Sequence, residues 1–400
     1  MNKYIFALAF TVCLLTQAKA QLVVKAHVLP YDNYYQIRGG VNNFLYATVK
    51  QKKATVAFLG GSITFNPGWR DMITTYLKER FPDTEFRFIT AAIPSLGSLP
   101  HAFRLKRDLL DSGRIDLLFM EAAVNDRVNG TDSLTQVRDL EGIVRHAKQV
   151  NPLLDIIMMS FADPDKNSDY AKDKIPAEVA NHELVAGYYN LPSINMAKEV
   201  YDKIGNKEFS WEKDFKDLHP SPFGQELYFA TIKSLMEKLE RQQLVPPHPQ
   251  KLPRMLDKWS FTTGDYQSMI TADHDNQWVI DPNWVPADGL GTRPGFVNVP
   301  MLIADKPGAE LALPFKGTAI GMGIVSGGDA GMVLYSIDNG PFKKIDLFTA
   351  WSSSLHLPWY VLFNGNLNKG MHSLRLKISD QHHINSKGNA CRIVYFLRNE

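Results

Sequence analysis

The chain has 400 residues, of which 44% are hydrophobic and 22% charged, enough to bury a large core and, by length, to form two or three domains. The formal charge of +2 includes Lys3 and Lys19 near the N-terminus, so the remainder is close to neutral. That balance gives no electrostatic basis for a nucleic-acid or anionic-membrane partner.

Residues 1–20 read as a secretory signal peptide. Lys3 opens it, Tyr4 to Leu15 is mostly apolar, and Ala18-Lys-Ala20 is a small-x-small cleavage pattern. Export follows as the expectation, to the periplasm or beyond, with cleavage near Ala20. No cysteine follows the cut, so a lipoprotein anchor is not expected, and no later run of about 18 apolar residues marks an integral membrane segment. Cys13 lies in the leader and Cys391 stands alone in the rest, so the mature chain cannot form an internal disulfide.

Residues 21–50 show no clear period and read as a lead-in laid against the first domain. Thr55-Val-Ala-Phe-Leu-Gly-Gly-Ser-Ile-Thr64 then gives a continuous apolar run, the signature of a strand buried on both faces, broken by Gly60 and Gly61 with Ser62 at once behind. Trp69, Met72, Ile73, Tyr76 and Leu77 lie on one face of a helix. A second strand is expected over 86–93, ending in Pro94-Ser-Leu-Gly97, then a helix from Leu99 to Ser112. The third strand, 116–120, runs into Glu121-Ala-Ala-Val-Asn-Asp126. A helix over 133–150, a fourth strand over 154–161, a helix near 176–189 and a short strand around 193–196 follow. The loop 211–222 leads into a last helix from Phe223 to about Arg241. Strands alternating with helices over about 190 residues predict a parallel sheet covered on both faces, a three-layer α/β/α domain over 51–243. The proline-dense stretch 244–254 can neither continue a helix nor enter a central strand. Beyond it, over 255–400, short alternating runs are punctuated by Asp338-Asn-Gly340, Asn364-Gly-Asn366 and Asn368-Lys-Gly370, which predicts an all-β, jelly-roll-like sandwich.

The carboxyl ends of parallel strands share one edge of their sheet. Ser62 follows the first strand, the Ser95–Gly97 turn the second and Asn125 the third, while Asp214-Phe-Lys-Asp-Leu-His-Pro220 precedes the last helix. A hydroxyl, turn N–H groups, a carboxamide and an imidazole are the parts of a serine acyl hydrolase. Each has a bland alternative: Asn125-Asp126 can cap a helix, Gly97 can serve only its turn, and His219 can be an ordinary loop histidine.

From Ser62 to about Leu239 the chain resembles the SGNH, or GDSL-like, hydrolase family. Gly60-Gly-Ser-Ile-Thr64 resembles the block with the nucleophilic serine, Ala123-Val-Asn-Asp126 that with the oxyanion asparagine, and His219-Pro-Ser-Pro-Phe-Gly224 that with the base histidine. The resemblance implies a flavodoxin-like fold and ester hydrolysis with no metal or other cofactor. Ser62 would be the nucleophile and His219 the base; the N–H of Ser62, the N–H of Ser95 or Gly97, and the Asn125 amide would hold the oxyanion. Two departures stand out. The family's second-block glycine falls on Ser95, two residues before Gly97. Its aspartate, three residues before the histidine, falls on Lys216, leaving Asp217 as the preferred orienter, Asp214 as second choice, or a backbone carbonyl in a Ser-His dyad. An α/β-hydrolase elbow fits worse, because Thr64 stands where its second glycine would be.

The β-domain, with Asp329-Ala-Gly331, Trp351 and Leu355-His-Leu-Pro-Trp-Tyr360, resembles the accessory domain of some SGNH esterases of polysaccharide-degrading bacteria. Trp351, Trp359 and Tyr360 could stack on sugar rings or fill a core. The expected function is a secreted esterase removing O-acetyl groups from an acetylated poly- or oligosaccharide. The alternatives are a lipid or thioester acyl hydrolase and, from another class, a catalytically silent glycan-binding protein. The sequence leaves the oligomeric state open.

Overall fold

The computed structural model describes residues 28–400; the leader expected over 1–20 lies outside the described residues. The lead-in supplies a strand β1 (Tyr35–Gln36) and a short helix α1 (Asn42–Tyr46). Strands and helices then alternate: β2 (Lys53–Gly60), α2 (Ser62–Phe65), α3 (Trp69–Arg80), β3 (Glu85–Ala92), α4 (Ser98–Asp108), β4 (Leu117–Glu121), α5 (Ala123–Val128) and α6 (Ser133–Val150). They continue as β5 (Asp155–Ser160), α7 (Pro164–Tyr170), α8 (Ala177–Tyr188), β6 (Ser193–Asn195), α9 (Met196–Gly205) and α10 (Pro222–Glu240). Helices α7 and α9 are not among the elements that the sequence pattern predicts. The first is mostly polar and reads as loop, yet Asp163 caps it and Pro164 opens its first turn. The second follows a three-residue strand with only Asn195 as its cap.

The sheet runs β1-β6-β5-β4-β2-β3. Its pairs are parallel except that of β1 with β6, the contribution of the lead-in. Counted from β2, this is the flavodoxin-like order 2-1-3-4-5, and the chain switches direction between β2 and β4. The carboxyl ends of those two strands therefore diverge into a crevice. The apolar run of β2 serves two cores. Val56 and Phe58 meet Trp69, Ile73 and Phe119 on one face, while Ala57 and Leu59 meet Phe103, Leu118 and Leu140 on the other. Phe58, Trp69, Phe119 and Phe161 form a ring cluster with centroids 5.5 to 6.1 Å apart. Each such pair adds about 0.5–1.5 kcal/mol beyond area burial, which fixes the start of α3 directly after the Ser62 loop.

The proline-dense stretch is laid along the first domain. Val245 and His248 exchange hydrogen bonds with Asn42 and Asn43, and Pro253 accepts one from Arg145. After it come β7 (Gly264–Ser268), β8 (Asp273–His274), β9 (Val279–Trp284), β10 (Val299–Ala304), β11 (Glu310–Gly317) and β12 (Ala319–Ser326). The remaining strands are β13 (Gly331–Ile337), β14 (Lys343–Asp346), β15 (Leu357–Asn364), β16 (Gly370–His382) and β17 (Cys391–Asn399). One antiparallel sheet runs β15-β12-β17-β10-β9, with β7 also on β17; the other runs β14-β13-β16-β11-β8. Cys391 lies buried in the core between them, and burial pushes its thiol up to about 12.

The two domains share a core. Phe261, Trp284, Phe296 and Tyr360 join the cluster built on α4, α6 and α8. At its edge the fully buried Glu141 accepts from Tyr189 Oη (2.5 Å), Leu256 N (2.6 Å), Ser260 Oγ (2.5 Å) and Asp257 N (3.0 Å). Alanine there strands four donors, each costing about 1–3 kcal/mol when left unpaired in the interior. Glu141→Ala is therefore expected to lower stability by about 3 kcal/mol or more, with faster amide exchange over 255–262. Unchanged urea unfolding would show the carboxylate to be dispensable.

Candidate active site

Gly60 ends β2 and Gly61 turns the chain, so that Ser62 opens α2 with its N–H at the helix terminus, where no intrahelical acceptor exists. A Cβ at Gly61 would stand 2.0 Å from Asn125 Oδ1, so a side chain there would displace the Asn125 carboxamide. Across the crevice β4 delivers Asn125. Helix α5, which carries it, is fixed from behind: Glu121 Oε1 accepts from Val124 N (3.1 Å), and the buried Lys166 donates to Ala123 O (3.0 Å) while paired to Asp163. Asn125 itself is nearly buried, and its carboxamide makes no hydrogen bond among the described residues. An amide left unpaired at a cavity wall is available to a ligand.

At the end of β3, Ile93 to Leu96 form a tight turn closed by Leu96 N donating to Ile93 O (3.4 Å), with Pro94 second and Ser95 third at φ +73°. A third residue in the left-handed region favours glycine, so serine is held there by its neighbours. Asn129 Nδ2 donates to Ser95 O (3.0 Å) and Arg293 Nε to Ser95 Oγ (3.1 Å). Gly97 stands elsewhere. It caps α4 against Asp126, where a Cβ would meet Asp126 Oδ1 at 2.4 Å, and it does not line the cleft, whereas Ser95 does. Of the two expected N–H donors, the structure brings only Ser95 to the cavity.

Behind that turn, Ser98 Oγ lies 2.9 Å from both Asp126 Oδ1 and Asp139 Oδ2, and Ser98 N donates to Asp126 Oδ1 at 2.7 Å. One hydroxyl carries one proton, so one of the two contacts is donated by a protonated carboxyl. Burial accordingly pushes Asp126 up to about 7 and Asp139 well above its ordinary value. The group ties α4, α5 and α6 together directly beneath the cavity.

His219 comes from the loop before α10. Its Nε2 lies 2.8 Å from Ser62 Oγ, so residues far apart in the chain meet within hydrogen-bonding reach. The two aspartates expected as orienters do not reach the ring. Asp217 Oδ1 accepts from the backbone N–H of His219 (3.4 Å), and Asp214 Oδ2 accepts from Ser210 N (2.8 Å). The chain turns at Lys216, whose φ is +77°, and Asp217 beyond it reaches back to the main chain. His219 is exposed, and its Nδ1 finds no partner among the described residues.

The cleft above these groups has a volume of about 450 Å³, and its far wall belongs to the second domain. Thr292, Arg293 and Pro294 come from the β9–β10 loop; Trp351 and Leu355 come from the segment leading into β15, and Leu357 opens that strand. The two loops are pinned to each other by the buried His356, whose N donates to Gly291 O (2.9 Å) and whose Nε2 lies 3.0 Å from both oxygens of Asp288. Of the aromatics left open between sugar stacking and core, Trp351 is 45% exposed at the cleft, Trp359 packs on the sandwich core, and Tyr360 is buried with its hydroxyl on Tyr266. Arg293, Thr292 and Leu355 were missed as site residues, because contact between distant domains leaves no local signal. Among the described residues no group of three or more His, Cys, Asp or Glu side chains is placed to hold a metal. None of the described helices is long and apolar enough to cross a membrane.

Residues 58–227 match the model of the GDSL-like Lipase/Acylhydrolase family. No curated protein sequence matches the chain. Among solved structures, the chain is similar to a two-domain esterase (CEX) active on acetylated mannans, co-crystallized with mannopentaose. That match has 18% identity and a TM-score of 0.73, covering 94% of this chain and 99% of that one. A second structure of a two-domain esterase (CEX) active on acetylated mannans matches at the same identity and TM-score over 92% and 98%. An acetyl xylan esterase, AlAXEase, matches at 16% identity over 45% of this chain and 98% of its own, with a TM-score of 0.39. The likeness to the two-domain enzyme extends through both domains of the fold.

Proposed function

We propose that this chain, whose first domain is a GDSL-like acylhydrolase domain, is a secreted serine esterase that removes O-acetyl groups from carbohydrate. The observation carrying the reading is the 2.8 Å approach of His219 Nε2 to Ser62 Oγ, at the switch point of the sheet, where open α/β folds bind ligands. In the proposed reaction His219 takes the proton of Ser62 as its oxygen attacks the acetyl carbonyl. The oxyanion is received by the N–H of Ser62, the N–H of Ser95 and the Asn125 amide. His219 returns the proton to the departing sugar hydroxyl, and water activated by the same imidazole then clears the acetyl-enzyme. The half-exposed Trp351 lines the cleft, and the activity on acetylated mannans of the two-domain esterase that the chain is similar to supports a carbohydrate ester as substrate. Export fits the leader expected over 1–20.

A fluorophosphonate probe is expected to label Ser62 alone. Acetate release from acetylated oligosaccharides should exceed cleavage of p-nitrophenyl esters as their acyl chain lengthens; a rate rising with chain length would favour a lipid acyl hydrolase. No labelling and no acetate release would leave a glycan-binding protein. The imidazole acts here without a carboxylate on its Nδ1, so Asp217→Asn is expected to change kcat/KM by less than about fivefold, the worth of an exposed charge. A loss near 10⁴-fold, the effect of removing an aspartate that holds the ring, would place Asp217 on the imidazole during turnover.

A further inference from the structure

Arg293 is a cation with an unfinished set of partners. Its Nε is committed to Ser95 Oγ (3.1 Å), which fixes the guanidinium plane at the cleft wall. Its two terminal nitrogens make no hydrogen bond, and no carboxylate pairs with it among the described residues. Burial lowers its pKa from the ordinary value. Among the described residues the cleft lining holds no Asp, Glu or Lys, and Arg293 is the one permanent charge there. Two other arginines of the fold, Arg138 and Arg392, are neutralised by Asp257 and Asp329, and Arg145, which has no carboxylate partner among the described residues, spends its Nη1 on Tyr189 Oη and Pro253 O. A half-buried guanidinium anchored by one edge presents its remaining N–H groups as a fork matched to a planar carboxylate.

We infer that Arg293 is a specificity residue that binds a carboxylate of the glycan, so that the substrate is an O-acetylated, uronic-acid-containing oligosaccharide. This rests on the esterase reading above. The carboxylate-bearing sugar lies against the second domain while the ester enters the crevice of the first. Both domains are then needed for recognition, in keeping with their shared core.

The test pairs binding with turnover. An O-acetylated galacturonan oligosaccharide and the same oligosaccharide with its carboxyls methyl-esterified are titrated into the Ser62→Ala protein, alone and combined with Arg293→Gln or Arg293→Lys. Single-charge recognition predicts a Kd for the acid about tenfold or more below that of its methyl ester. The ratio should shrink as salt is raised, fall to near one with Arg293→Gln, and be partly kept with Arg293→Lys, which preserves the charge and guards against misfolding. A ratio near one in the parent protein, or one that persists in Arg293→Gln, overturns the inference. Hydrolysis of p-nitrophenyl acetate by the unmutated protein is measured beside it. An inert protein overturns the esterase reading and the substrate drawn from it, whereas an active protein with no acid preference overturns only the role of Arg293.

Discussion

Replacing Ser62 by alanine is expected to lower acetate release by about 10⁴- to 10⁶-fold, the range for removing a nucleophile that works with its base. The residue opens a four-residue helix, and among the described residues its hydroxyl hydrogen-bonds His219 Nε2 alone. The variant should therefore unfold at the parent temperature and lose labelling by a fluorophosphonate. His219→Ala should cost a similar factor, and the double variant little more than either single one, because groups that act as a unit are not additive. A Ser62→Ala protein retaining more than about one hundredth of the parent rate would remove the proposed nucleophile. Two independent losses that multiply in the double variant would mean that serine and histidine serve separate tasks.

The residues legible in the sequence were those whose position follows from the alternation of strands and helices. A continuous apolar run ending in Gly60-Gly61 puts Ser62 at a strand's carboxyl end, and the next two such runs do the same for Ser95 and Asn125. The parallel sheet then brings these ends to one edge, as the observed order places them. What escaped was set by geometry that periodicity does not carry. The chain turns at Lys216 on a left-handed backbone, and Asp217 beyond it reaches back to the main chain; sequence distance to His219 says nothing of that. Gly97 and Ser95 are equally plausible as turn residues on paper; the close packing of Gly97 on Asp126 separates them. Arg293 stands nearly two hundred residues from Ser95 in sequence, and their contact exists only because the sandwich packs on α4 and α6 through a common core.

Asn125→Ala is expected to lower kcat by about 10²–10³-fold with KM little changed, the effect of losing one oxyanion donor. The carboxamide stands against Gly61, next to Ser62, with no partner of its own among the described residues. In the proposed reaction its donor finds full use only as charge develops on the carbonyl oxygen. Its position is maintained by others: Glu121 and Lys166 hold the backbone of α5, and Asp126 is fastened through Ser98 to Asp139. Truncating the side chain therefore leaves the helix in place, and the variant should keep the parent unfolding profile and still react with the fluorophosphonate, though more slowly. Asn125→Asp should be at least as poor, since a carboxylate offers no proton and repels the oxyanion. If the alanine variant instead raised KM at constant kcat, the amide would bind substrate and transition state alike, and the oxyanion would rest on the two backbone N–H groups alone.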